Sequence, residues 1–409
     1  MNYIFIDTNE KVERVGIVEN NRLVEFYTNK EDNKKIAGNI YRGRVVNILP
    51  GMEAAFVDIG EGKNAYLYVK DALPIDLLYS NEKVKIGDII KNGEEIIVQV
   101  LKDPLGNKGA KITNHITLPG RYIVLTPFSK SINISRKIQD EKEIKRLKKT
   151  GREIQIDNIG IIFRTKALNV EKEILEDEYQ ALINLYNKIE SERNFLPCPK
   201  LIYREMNLVH QIIRDVFDYE RYKIIVNNKE KYKEILSLED NFQFGLKDRL
   251  YYDEDFNIDY QQDIINEIQN ALSRKVPLKS GGYIVIDETE ALVAIDVNTG
   301  KYIGGKNLED TVLKTNLEAA EEIAIQIRLR DIGGIIIVDF IDMKYKKDVK
   351  FLLKEFDKNL SFDRNKGNII GMTKLGLVEI TRKKTSNSLK YKFGEKCPHC
   401  QGNGKIFLG

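Results

Sequence analysis

Two aspartates interrupt or end apolar runs in the last third of the chain. In VAIDVN, alternation of side chains puts Asp296 and Asn298 on one face of a strand. In IIIVDFID, Asp339 stands at the C-terminal end of a second apolar strand. The periodic stretch between them, residues 310–330, reads as a crossover helix, which would bring the two strands close together in one sheet. An unpaired carboxylate in an apolar setting is costly, and two on adjoining strands repel and raise a pKa. A divalent cation removes both costs. Hard oxygen ligands with few protein contacts favour magnesium, which keeps several waters and accepts a phosphate oxygen. Such an ion polarises a phosphodiester and lowers the pKa of an attacking water, and Asn298 would position the phosphate or a metal-bound water. The same carboxylates also suit a plainer role as capping or ion-paired residues at strand ends.

Two further patterns bear on binding. The stretch NIYRGRVVNILPGMEAAFVDIGEGKNAYLYV interleaves rings and cations: Tyr41, Arg42, Arg44, Phe56, Lys63 and Tyr66. Small barrels bind single-stranded nucleic acid by stacking bases on exposed rings above a basic groove. Phe56 and Tyr66 would otherwise be core rings, and the pattern does not choose RNA over DNA. Near the C-terminus, Cys397 and Cys400 have the spacing of a zinc knuckle, with Gly402 and Gly404 allowing a tight turn. Structural zinc wants four ligands, and one such pair per chain points to an intermolecular site and a dimer. A redox pair is the competing reading. Cys198 reads as a small core residue.

These residues need elements to carry them. The 409-residue length predicts two or three domains. With 31% charged and 42% hydrophobic residues, the composition is that of a globular protein and excludes a disordered or fibrous chain. Three Cys make no disulfide framework, no apolar run reaches membrane length, and MNYIFIDTNEK has no signal-peptide pattern, so a cytoplasmic location is expected. The net charge of +3 hides an asymmetry: residues 343–409 hold sixteen Lys and Arg against six Asp and Glu. That excess suggests a polyanionic partner, although a solvated Lys-rich surface gives the same count. Residues 1–36 read as strands with a hairpin turn at Asn20-Asn21. Residues 37–113 hold about five short strands, which suits a barrel. Residues 114–204 combine strands with helices over 139–151 and 170–192, and 205–272 alternate helix and strand. A βαβ pattern follows from Gly281, with a helix over 343–360, and the Cys-bearing tail runs from 396 to 409.

Taken together, SGGYIVIDETEALVAIDVNTG, TNLEAAEEIAIQIRLRDIGGIIIVDFIDM, GIIFRTKA, NIYRGRV with EAAFVDIG, and KCPHCQGNG resemble the catalytic half of the ribonuclease E/G family of bacterial endoribonucleases. The resemblance covers nearly the whole chain. It implies a multidomain α/β fold with an RNase H-like subdomain (1–36 and 205–272) interrupted by an S1-type OB barrel (37–113) and a 5′-sensor region (114–204). A DNase I-like catalytic subdomain (273–395) and a zinc-link (396–409) follow. By resemblance, Asp296 and Asp339 bind magnesium and Asn298 positions the scissile phosphate. Arg164 and Thr165 grip a 5′-terminal monophosphate, with Gly120 and Val124 completing that pocket. Phe56, Tyr66 and Lys108 contact RNA in the barrel, and Cys397 and Cys400 hold a zinc shared between subunits. The planar Arg fork suits bidentate phosphate contact.

There are departures from the family pattern. Tyr66 stands where a Phe is usual, and Lys374 where an Arg is usual, so Lys374 is given no role. The small domain that joins dimers into tetramers in longer members is not found after Cys400, nor is a scaffold tail for other decay enzymes, so a zinc-linked homodimer is expected. The resemblance implies a magnesium-dependent endoribonuclease that cleaves single-stranded A/U-rich RNA, is stimulated by a 5′-monophosphate, and acts in rRNA maturation and mRNA decay. The competing classes are a catalytically silent RNA-binding protein and a DNA-directed nuclease.

Overall fold

The computed structural model describes residues 2–9, 12–30, 35–74, 77, 84–104, 108–157, 159–192, 197–238, 245–300, 308–384, 386–395, 397–400, 402 and 404. The chain forms two compact units, one of residues 1–30, 217–236 and 245–409, the other of residues 31–216 and 237–244.

In the second unit, strands Ile40–Leu49, Ala54–Asp58, Ala65–Tyr68, Lys111–Thr113 and Glu95–Lys102 pair in that order, and the last pairs back onto the first to close a five-stranded barrel. Alternation sends Val45, Val57, Ala65, Leu67, Val98 and Ile112 into its core. A four-stranded sheet follows, built from Leu118–Pro119, Ile123–Thr126, Gly160–Phe163 and Ile132–Ile134. Helices Glu141–Ile154 and Lys172–Ser191 share its core, their apolar residues Leu147, Ile154, Leu175 and Leu182 packing with Ile123, Ile161 and Phe163. Asp140 caps the first of these, its side chain accepting from the Lys142 N–H at 2.8 Å.

The first unit holds two sheets. One runs Leu250–Tyr252, Lys223–Val226, Tyr3–Thr8, Val12–Glu19, Arg22–Lys30. Its hairpin turns at Asn20-Asn21 with φ of 51° and 62°, the left-handed pair that a two-residue turn between twisted strands requires. The other sheet has six strands in the order Lys275–Pro277, Tyr283–Glu288, Leu292–Asn298, Gly334–Asp339, Val378–Arg382, Gly367–Met372. The Leu292–Asn298 and Gly334–Asp339 strands are parallel, and helix Leu308–Leu329 is the crossover between them. That helix and Lys346–Leu360 pack Ala320, Ile323, Ile327, Leu352 and Phe356 against Ile284, Ile295, Ile336 and Val338 on one face. No helix among the described residues is long and apolar enough to cross a membrane.

The six-stranded sheet of this unit is held at its base by buried charges. The Arg382 guanidinium bonds Asp363 at 2.5 Å, Asp331 at 3.0 Å and the Ile332 carbonyl at 2.7 Å, with all three charged side chains almost fully buried. Burial pushes the Asp331 carboxyl up, but the Ser386 hydroxyl and Arg382 outweigh it and hold it below the ordinary range. Arg382→Met strands two buried carboxylates and is expected to cost about 3–5 kcal/mol in urea unfolding near neutral pH. The Asp331 part of this stability is present above the ordinary Asp pKa and is lost as pH falls through the lowered value. The gap between wild type and variant should therefore narrow in acid; a gap independent of pH would contradict this account.

Candidate active site

The register of the parallel pair sets Asp296 directly against Asp339. Aligned residues of neighbouring strands share a face, so the two carboxylates project from the same side of the sheet. That side is the open one. Ile295, Val297 and Val338 point into the helix-covered core, whereas Asp296 and Asp339 are exposed. The sequence expectation of carboxylates in an apolar environment is thereby corrected: the strands are apolar, but the acids face water, and no desolvation cost has to be removed. Proximity of two like charges remains.

Asn298 lies two residues on, on the same face, and its Nδ2 donates to Asp296 Oδ2 at 2.7 Å. This fixes the carboxamide beside the acid. Asp339 has no hydrogen-bond or ion-pair partner among the described residues. Two such oxygens on an open face suit a hard cation that completes its shell with water and phosphate oxygens. No group of three or more His, Cys, Asp or Glu able to hold a metal occurs among the described residues, so a cation here would rest on these two carboxylates.

The end of each strand is braced from below. Asn316, fully buried on the crossover helix, donates from Nδ2 to the Ile341 carbonyl at 2.8 Å and accepts from the Ile341 N–H at 3.1 Å. It thus holds both peptide groups of a residue two positions past Asp339, where the strand leaves the sheet. Gly282 backs the other strand: a Cβ there would lie 2.7 Å from the Asn298 carbonyl oxygen. Sequence reasoning missed Asn316. Its signal was a lone polar residue at a helix position flanked by the apolar stripe, which only the fold gives a partner.

In the second unit, Arg164 donates to the Gly120 carbonyl at 2.5 Å and to Asp215 at 2.8 Å, and its backbone N–H bonds the Tyr122 carbonyl at 2.7 Å. Alternation places Val124 on the same face of this ladder as Arg164. Burial pushes the Asp215 carboxyl up, but Arg214 and Arg164 prevail and hold it below its ordinary range. The fork of Arg164 is therefore oriented by a charged carboxylate, with two of its donors engaged. Thr165 shares a hydroxyl contact of 3.0 Å with Ser135. The residue after Ser135, Arg136, is exposed and has no carboxylate partner among the described residues, a cation that the sequence reading did not single out. Gly120 has to be Gly, since a Cβ would meet the Glu178 carboxyl carbon at 2.7 Å. Glu178 itself accepts the N–H groups of Arg121, Tyr122 and Ile123 at 2.5–2.8 Å and shapes the loop.

On the barrel, Phe56 and Tyr66 are cross-strand partners with ring centroids 6.0 Å apart, half-buried on the outer face, and neither belongs to the barrel core. Lys108 is exposed. The expected basic groove is reduced, however: Arg42 and Arg44 both pair with Glu95, and Tyr41 is a core ring whose hydroxyl bonds Glu61 at 2.8 Å. In the tail, Cys397 is exposed and Cys400 half-buried, both free thiols. The backbone N–H groups of Gly402 and Gly404, together with Cys397, hold the Cys400 thiol below its ordinary pKa. That is an environment suited to a thiolate ligand.

The model of the ribonuclease E/G family matches residues 117–385. The chain is 39% identical over 400 residues to ribonuclease G of Escherichia coli K12, covering 96% of this chain and 82% of that one. Ribonuclease G of Haemophilus influenzae shows the same identity and coverage. Ribonuclease E of Synechocystis is 37% identical over 374 residues, 90% of this chain and 55% of that one. An α/β sheet with paired acids, a closed barrel and matches of this extent agree, and the chain belongs to the ribonuclease E/G family of endoribonucleases.

Proposed function

We propose that this endoribonuclease cleaves single-stranded, A/U-rich RNA at the Asp296–Asp339 pair with magnesium, favours substrates bearing a 5′-monophosphate, and serves rRNA maturation and mRNA decay. The observation that carries the reading is the parallel register that faces Asp296 and Asp339 outward side by side. Asp296 and Asp339 would hold the magnesium. The ion, when bound, supplies charge stabilisation to a phosphodiester and acidifies a water. Asn298, already tied to Asp296, orients the scissile phosphate. Arg164, Thr165, Gly120 and Val124 bind the 5′-phosphate, with Arg136 as an added cation. Phe56, Tyr66 and Lys108 hold the single strand on the S1-type barrel by stacking and charge.

The subdomain reading follows the same lines: RNase H-like over 1–36 and 205–272, S1 barrel over 37–113, 5′-sensor over 114–204, DNase I-like over 273–395. Cys397 and Cys400 would share a zinc with the same pair of a second copy, making a homodimer. Four thiolates complete a tetrahedral structural site, and two do not.

A short A/U-rich RNA with either a 5′-monophosphate or a 5′-hydroxyl, assayed with and without magnesium, tests the catalytic reading. Asp296→Ala with Asp339→Ala should lower the cleavage rate by about three orders of magnitude, equal to several kcal/mol of lost charge stabilisation, and leave RNA affinity intact. A wild-type chain that binds but never cuts would establish an RNA-binding protein instead. Arg164→Ala should erase the preference for the monophosphate end without changing the rate on the hydroxyl end; equal wild-type rates on both ends would remove the sensor. Zinc chelation should convert dimers to monomers in light scattering, and an unchanged mass would reject the shared site.

A further inference from the structure

The open face of the six-stranded sheet has one ring and one cation among its described strand residues, and they lie together. Alternation places Lys275 and Pro277 on this face from the first strand, and Tyr283, Val285 and Asp287 from the second. Ala294, Asp296 and Asn298 follow, then Ile335, Ile337 and Asp339, and the last two strands add Glu379, Thr381 and Asn368. Tyr283 is the direct cross-strand partner of Asn298, and Val285 that of Asp296. The Lys275 ammonium sits 3.5 Å from the centroid of the Tyr283 ring. Asp287, further along the same strand, is neutralised by Arg274 at 2.6 Å.

We propose that Tyr283, with Lys275 laid on its ring, is a stacking subsite for the nucleobase next to the scissile phosphate. The inference rests on the reading of Asp296, Asn298 and Asp339 as the cleavage centre. Tyr283 stands one strand spacing, about 4.8 Å, from Asn298, which puts its ring within reach of the nucleoside next to a phosphate held by Asn298. A flat, half-exposed ring there offers a π-face to any base, which suits an enzyme that reads flexible single strands. The ammonium on the ring orients it through cation–π attraction and supplies positive charge for the adjoining phosphate. Beside two carboxylates, that charge is what keeps a polyanion from being repelled along this side of the sheet.

The test uses the full chain, magnesium, and a 5′-hydroxyl RNA with a single cleavage site. The RNA is intact or has an abasic nucleotide on either side of the cleaved bond. Tyr283→Leu should lower kcat/KM on intact RNA about tenfold, within the range of one lost base–ring stack. Tyr283→Phe, which keeps the ring, should recover most of that loss. One of the two abasic RNAs should cost the wild type a similar factor and cost Tyr283→Leu nothing more. Effects that multiply instead, or a Tyr283→Leu enzyme as fast as wild type on intact RNA, overturn the subsite. A Tyr283→Phe enzyme as slow as Tyr283→Leu also overturns it, since a ring would then not be what matters. Asp339→Asn is run alongside. If it cleaves like wild type, the cleavage centre has been misplaced and the subsite falls with it; if it is inactive while Tyr283→Leu is unimpaired, only the subsite fails.

Discussion

The alignment of one parallel strand pair governs the candidate site. Side chains alternate along a strand, so a slip of a single residue would turn either Asp296 or Asp339 inward, among Ile336, Leu352 and Phe356. The register is fixed because the slip would also expose Ile295, Val297 and Val338. The apolar face and the acidic face thus specify each other, and the hydrophobic effect is what aligns two charges that repel. The crossover helix adds a local constraint through Asn316, whose amide substitutes for a sheet partner just past Asp339. A rigid frame beneath two carboxylates is what a weakly ligated divalent ion would need, since its remaining ligands are mobile waters.

In the second unit the same problem, charge held in position, is solved by burial. Asp215 is kept ionised between Arg164 and Arg214, and Arg214 also meets Glu205 at 3.3 Å. Desolvation raises the Glu178 carboxyl, and the three backbone N–H groups that bond it work against that rise. These carboxylates place a guanidinium and a loop. The arrangement costs stability that well-packed apolar side chains would not, and it gives an Arg fork whose orientation exists before anything binds.

Much of this was legible in the sequence, and what was not has physical causes. The Asn20-Asn21 turn, the crossover helix and the small barrel follow from local pattern, alternation and turn chemistry, whereas the pattern left open whether Phe56 and Tyr66 face outward or into the core. The continuous run before Asp339 misled, because unbroken aliphatic strands usually lie between two helical layers. Here Ile335 is 51% exposed, since helices cover only one face. The barrel cations misled as well. Glu95, which neutralises Arg42 and Arg44, is more than fifty positions away in sequence and becomes their neighbour only when the barrel closes. Asn316 was illegible for a related reason: a polar residue acquires its role from a partner that no window of local sequence contains.

The one-sided layering of the six-stranded sheet has a kinetic consequence. Among the described residues, the helices of this unit pack against one face of the sheet, and Asp296 and Asp339 stand exposed on the other. On the proposed reading, a magnesium ion held there by two carboxylates would keep most of its water, and its exchange would be set by how fast it sheds that water. The occupancy of such a site would follow the free divalent concentration around it.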